Sequence, residues 1–157
     1  MPHVATYVRL AQHAEQALAD SFRTVAEGHP QQADIFHTCR ALAAMSDAHL
    51  AALEPLARRY QEQPDTEDLE EPERLHAAGL PAIRQGQVGL LRDLQDLHLL
   101  ATLVQTTWTV LAQGAQGLRD NELLQVATDS NTETSRQLSW LVTRMKAAAP
   151  QALIVAP

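Results

Sequence analysis

The stretch QEQPDTEDLEEPERLHAAGL, residues 61–80, decides the fold. It holds seven acids (Glu62, Asp65, Glu67, Asp68, Glu70, Glu71 and Glu73) and one base, Arg74, for a local charge of −6. The other residues carry twelve acids and eleven bases, so they contribute only −1 of the total of −7. On both sides of it, apolar residues recur at alternating steps of four and three, the spacing that lines one face of a helix. Sustained period-two alternation is missing throughout, so no strands are expected.

Two helices are expected before the segment, over residues 3–27 and 34–60, and two after it. The third spans residues 81–117, and the fourth is capped by Asp120 and ends near Pro150. The seam of the first reads Val4, Val8, Ala11, Glu15, Leu18, Phe22, Val25, and that of the second Ile35, Cys39, Leu42, Ser46, His49, Leu53, Leu56, Tyr60. The third reads Leu90, Leu94, Leu97, Ala101, Val104, Trp108, Leu111, Ala115, Leu118, and the fourth includes Leu124, Ala127, Leu138, Leu141 and Met145. Gly28 is expected in a left-handed helix-ending conformation, with Pro30 blocking continuation and Asp34 capping the next helix.

Only a few residues join the first helix to the second and the third to the fourth, which enforces two antiparallel hairpins. A helix of 25 residues is roughly 37 Å long, whereas twenty extended residues reach on the order of 65 Å. Residues 61–80 can therefore run the length of the molecule and start the third helix from the far end. Connections this long are uncommon in compact domains unless they have a task. The expectation is one all-α domain over residues 1–157: a four-helix bundle of two hairpins joined by a crossover. The alternative is an up-and-down bundle from which the acidic segment hangs as a loop.

Composition narrows the function. With 45% apolar residues but only two each of Phe, Tyr and Trp, the core is built from Leu, Ala and Val. The apolar runs fall short of a membrane span, and Met-Pro-His-Val at the start lacks the basic and apolar regions of a secretion signal. One cysteine forms no internal disulfide, so a cytoplasmic location is expected. No basic stripe is present to meet phosphates, which argues against nucleic acid.

Three seam positions are polar: Glu15, Ser46 and His49. Counting outward from the turn near residue 30, the glutamate lies about 15 residues back and the histidine about 19 forward, so an antiparallel hairpin puts them within about one turn of each other. A buried carboxylate is costly unless it is paired or bound to a metal. Two readings follow. One is a structural Glu–His hydrogen bond with Ser46 as a further partner; the other is a pair of metal ligands.

A two-hairpin bundle with a mid-helix Glu15 and an inward His49 resembles the ferritin-like superfamily of ferritins, rubrerythrins and related carboxylate-bridged di-iron proteins. That resemblance implies a Glu on the first and third helices and Glu-x-x-His on the second and fourth. Glu15 matches the first position. Ser46-Asp-Ala-His49 keeps the histidine but has serine where the bridging glutamate belongs, and Asp47 points about 100° away from Ser46. On the fourth helix Asn131-Thr-Glu-Thr134 has the spacing without either ligand, with Glu133 nearer the edge of the apolar face. On the third, the matching position is Ala101 or His98. A di-iron site is therefore not expected. What the resemblance leaves is one ion held by Glu15, His49 and either His98 or Glu133, a donor set suited to iron, manganese or zinc. His13, His29, His37 and His76 are expected in solvent or loops. Cys39 is roughly 15 Å along the helix from His49 and is expected as a core residue.

Val88, Leu99, Leu103 and Val110, with Thr106, form a second apolar line on the third helix, where a monomer would be polar. Either Leu69 and Leu75 of the acidic segment cover it, or a second subunit does, as a homodimer through Leu99, Leu103 and Val110. The apolar tail at residues 152–156 is expected to dock in a groove or on a neighbour. Three functions remain open: a metal-binding bundle that could handle oxygen or peroxide; a non-enzymatic oligomeric or partner-binding bundle; and a small-ligand binder.

Overall fold

The structure, a computed structural model, describes residues 3–61, 79–80 and 82–157. Four long helices account for most of it: α1 (Val4–Gly28), α2 (Ala33–Gln61), α3 (Gly86–Leu118) and α4 (Asn121–Pro150), the last running into a π-helical turn, Gln151–Val155. The fold is an all-α four-helix bundle. Every seam position expected on α2 is buried, as are those of α1 from Val8 onward and those of α3 as far as Ala115. No helix among the described residues is long and apolar enough to cross a membrane.

The crossover follows from which helix ends meet. Helix α1 packs on α2 and α3, and α4 packs on α3 and α2, while α2 and α3 are not neighbours among the described residues. At one end, the α1–α2 turn meets the start of α3, where His29 Nε2 lies 2.9 Å from Asp93 Oδ2. At the other, Tyr60 and Arg59 near the end of α2 both bond Asp120, in the α3–α4 turn. Helices α2 and α3 therefore run parallel on a diagonal, and the chain leaves α2 at one end and enters α3 at the opposite one. All neighbouring pairs are antiparallel. Leu69, Leu75, His76 and Pro81 lie outside the described residues.

The far end of the crossover is tied to α1. The Leu80 N–H donates to Ser21 Oγ at 3.0 Å, and Ile83 sits against Gly28 so closely that a Cβ there would come within 2.4 Å of it. Gly28 thus serves close approach and remains helical, rather than adopting the left-handed conformation expected of it. Asp93, fully buried, takes His29, the Arg84 backbone N–H and the Arg84 guanidinium, which locks the start of α3 onto α1. His29 is consequently a buried partner and not the solvated loop residue expected. A left-handed helix end occurs instead at Arg119 (φ 58°), which closes α3.

Asp120 behaves as expected. Its carboxylate accepts the Leu123 N–H at 3.1 Å, capping α4, and it also takes Tyr60 and Arg59. Burial, reinforced by this carboxylate, pushes the Tyr60 hydroxyl up to about 12. Asp34 is not a cap. It lies inside the first turn of α2, where it pairs with Arg144 of α4.

Candidate functional site

Each of the four helices contributes one residue to a polar cluster midway along the bundle: Glu15, His49, Trp108 and Glu133. Glu15 is completely buried, as its seam position requires, and its Oε2 accepts the indole N–H of Trp108 at 2.7 Å. His49 Nδ1 lies 3.2 Å from the same Oε2, and the ring meets Trp108 edge-on with centroids 6.5 Å apart. On the other side of the ring, Nε2 lies 3.6 Å from Glu133 Oε2. The Glu133 side chain is 38% exposed, so the cluster runs from the dry centre to the surface of α4.

Both contacts of His49 are at ion-pairing distance without hydrogen-bond alignment, and among the described residues Glu15 Oε1 has no hydrogen-bond partner. Burial lowers the His49 pKa. The nearby Glu15 carboxylate and the charge of Glu133 outweigh that effect, and the net result is a pKa above the ordinary histidine value. In its charged form the imidazole presents one N–H toward each carboxylate. An imidazolium between two carboxylates offsets the cost that a lone buried carboxylate would carry.

Ser46 belongs to a neighbouring bond system. The side-chain amide of Gln137 donates to both Ser46 Oγ and the Leu42 carbonyl, each at 3.0 Å. Where the ferritin-like pattern wants a bridging carboxylate, this chain has a hydroxyl engaged by an amide from α4. Gln137, Thr134 and Ser130 all point inward, so the buried face of α4 runs Leu123, Ala127, Ser130, Thr134, Gln137, Leu141, Ala148. Leu124, Leu138 and Met145, expected on the seam, are only partly buried and flank it. Asn131 likewise lies off the centre, where it donates to Thr109 of α3.

The donors do not fit one metal ion. Each nitrogen of an imidazole binds a metal along its own direction, and here Glu15 faces Nδ1 while Glu133 faces Nε2. An ion at either nitrogen therefore reaches one carboxylate and misses the other. Glu15 Oε2 is also already engaged by an N–H. His98 cannot complete the set: it is ten residues from Trp108 on α3, roughly 15 Å along the axis. Among the described residues no three His, Cys, Asp or Glu side chains form a group able to hold a metal. The structure brings Glu15, His49 and Glu133 together and leaves His98 apart.

Trp108 and Gln137 were missed as polar participants. The one signal for Trp108 was its level, since it lies opposite Glu15 once α1 and α3 are paired through the crossover, and indole N–H groups seek partners when buried. Cys39 is buried as expected, and burial together with the charge of Asp34 pushes its thiol up to about 12, so it is poorly nucleophilic. Compared with known proteins, the chain matches no protein-family model, no curated protein and no solved structure.

Proposed function

We propose that this chain is a non-enzymatic helical bundle that works by association, as an oligomeric or partner-binding module. In this reading a proton-bridged network occupies the place where ferritin-like proteins carry metal. One observation carries it: the two carboxylates lie on opposite nitrogens of His49, an arrangement suited to an imidazolium and unsuited to a shared ion. Support for association comes from the apolar side chains left on the outer face of α3 and in the C-terminal turn.

Calorimetric titration of the purified protein with Fe(II), Mn(II) and Zn(II), followed by metal analysis, tests the reading. The expected outcome is no stoichiometric binding at micromolar concentration. One ion bound per chain, and lost in both Glu15→Gln and His49→Gln, would overturn the reading in favour of a metal protein.

A further inference from the structure

Among the described residues, six large apolar side chains remain between 38% and 81% exposed: Val88, Leu99 and Val110 on α3, and Leu153, Ile154 and Val155 in the terminal turn. The α3 trio is spaced by eleven residues, and each such step returns to within about 20° of the same direction on a helix. The three therefore form one line facing away from the Trp108 side. Leu103, expected in that line, is buried instead. It lies on the flank shared with buried Leu100 and Thr107, away from Gln105 and Thr109, which bond Ser135 and Asn131 of α4.

We propose that this face is the interface of a two-fold homodimer in which α3 packs antiparallel against α3 of a second copy, with the axis at Leu99. The proposal rests on the association reading above and names its partner. Leu99 is the midpoint of the line, so an antiparallel mate brings Val88 opposite Val110 of the second copy and Leu99 opposite its own equivalent. A two-fold interface requires that self-complementarity. A parallel mate would match the same three positions but would also set exposed Arg92 against itself. The antiparallel one sets Arg92 against Thr106, and it opposes the helix dipoles.

The terminal turn extends the surface. The α3–α4 register fixed by Gln105–Ser135 and Thr109–Asn131 puts Ala152 at the level of Val88, and the turn packs on α3. In the dimer Leu153, Ile154 and Val155 lie beyond Val110 of the second copy, toward its Gly114 and Gly117, where an added Cβ would meet nothing. Successive residues of a helical turn point in different directions, so the α3 line and the part of the turn that continues it present on the order of 400 Å² of apolar surface, within the range of a monomer's largest patch. A standard interface buries roughly 800 Å² per partner, so exposed polar residues along the line, Arg92 and Thr106 among them, supply the rest.

Light scattering combined with cysteine cross-linking tests the geometry, in a Cys39→Ala background so that a single thiol is present. The expected results are a dimer mass, a Leu99→Cys disulfide across the axis under mild oxidation, and no disulfide from Val88→Cys, whose copies lie roughly 33 Å apart. Leu99→Glu should give a monomer with unchanged helical circular dichroism. A dimer that forms without the Leu99→Cys link, or that links through Val88→Cys, overturns this interface. A monomer mass at about 0.1 mM protein, a concentration at which even a dimer of micromolar affinity is nearly all assembled, also overturns it. Neither result bears on the metal-free core, which stands or falls on the metal titration.

Discussion

Replacing Trp108 with alanine is expected to destabilise the bundle by about 5 kcal/mol, a large share of the roughly 5–15 kcal/mol that holds a domain of this size. Two losses combine in this substitution. The largest of the fully buried side chains leaves a cavity, and Glu15 loses its only aligned hydrogen-bond donor among the described residues. Trp108→Phe separates them, because it keeps most of the volume and removes the N–H. It should still cost about 2 kcal/mol, the range for a hydrogen bond to a buried charge. Urea denaturation of both variants measures the difference. A phenylalanine variant as stable as the wild type would mean that Trp108 acts only by filling space.

Glu15→Gln should cost about 3–4 kcal/mol near pH 6, because it leaves His49 buried without its principal counter-charge. The amide oxygen can still accept from Trp108, so the loss reports mainly on the charge. Its sign with pH follows from the direction of the His49 shift. The folded-state pKa is raised above the unfolded value of about 6.5. Stability from this group is therefore fully present below about pH 6.5 and is lost as pH rises through the folded pKa. The gap between wild type and Glu15→Gln should accordingly be widest near pH 6 and shrink toward pH 9. Combining Glu15→Gln with His49→Gln should cost less than the two single losses added together, since the pair is coupled. A gap that grows with pH would place the dominant interaction elsewhere.

Where the interior is apolar, its residues could be read directly from the sequence. The seams of α1, α2 and α3 were visible because Leu, Val and Ala mark the buried positions at helical spacing. The charged segment at residues 61–80 indicated the topology, through its length and its contrast with its flanks. On α4 the reading held at Ala127 and Leu141 but slipped by one residue at Leu124 and Leu138, where Leu123 and Gln137 are the buried ones. There the buried face is Ser130, Thr134 and Gln137, so hydropathy drew attention to Leu124, Leu138 and Met145 at its margins. A helix whose inward side is polar hides that side from any pattern based on apolarity. His29 and Asp93 were illegible for a related reason: each lies at an element end, and only the arrival of α3 beside α1 makes them partners. Glu15 and His49 were readable as a pair because one short turn fixes their levels. Their third companion was not, because Trp108 belongs to the other hairpin and looks like any other core residue.

The central claim is that His49 is an imidazolium held between Glu15 and Glu133, with no metal at either nitrogen. Nitrogen-15 NMR of the imidazole, followed through a pH titration with and without added Zn(II), tests it most directly. The account predicts that both ring nitrogens stay protonated above the pH at which an ordinary histidine titrates, with no change on adding zinc. A neutral single tautomer at pH 6, or a nitrogen that loses its proton and shifts when zinc is added, would contradict it.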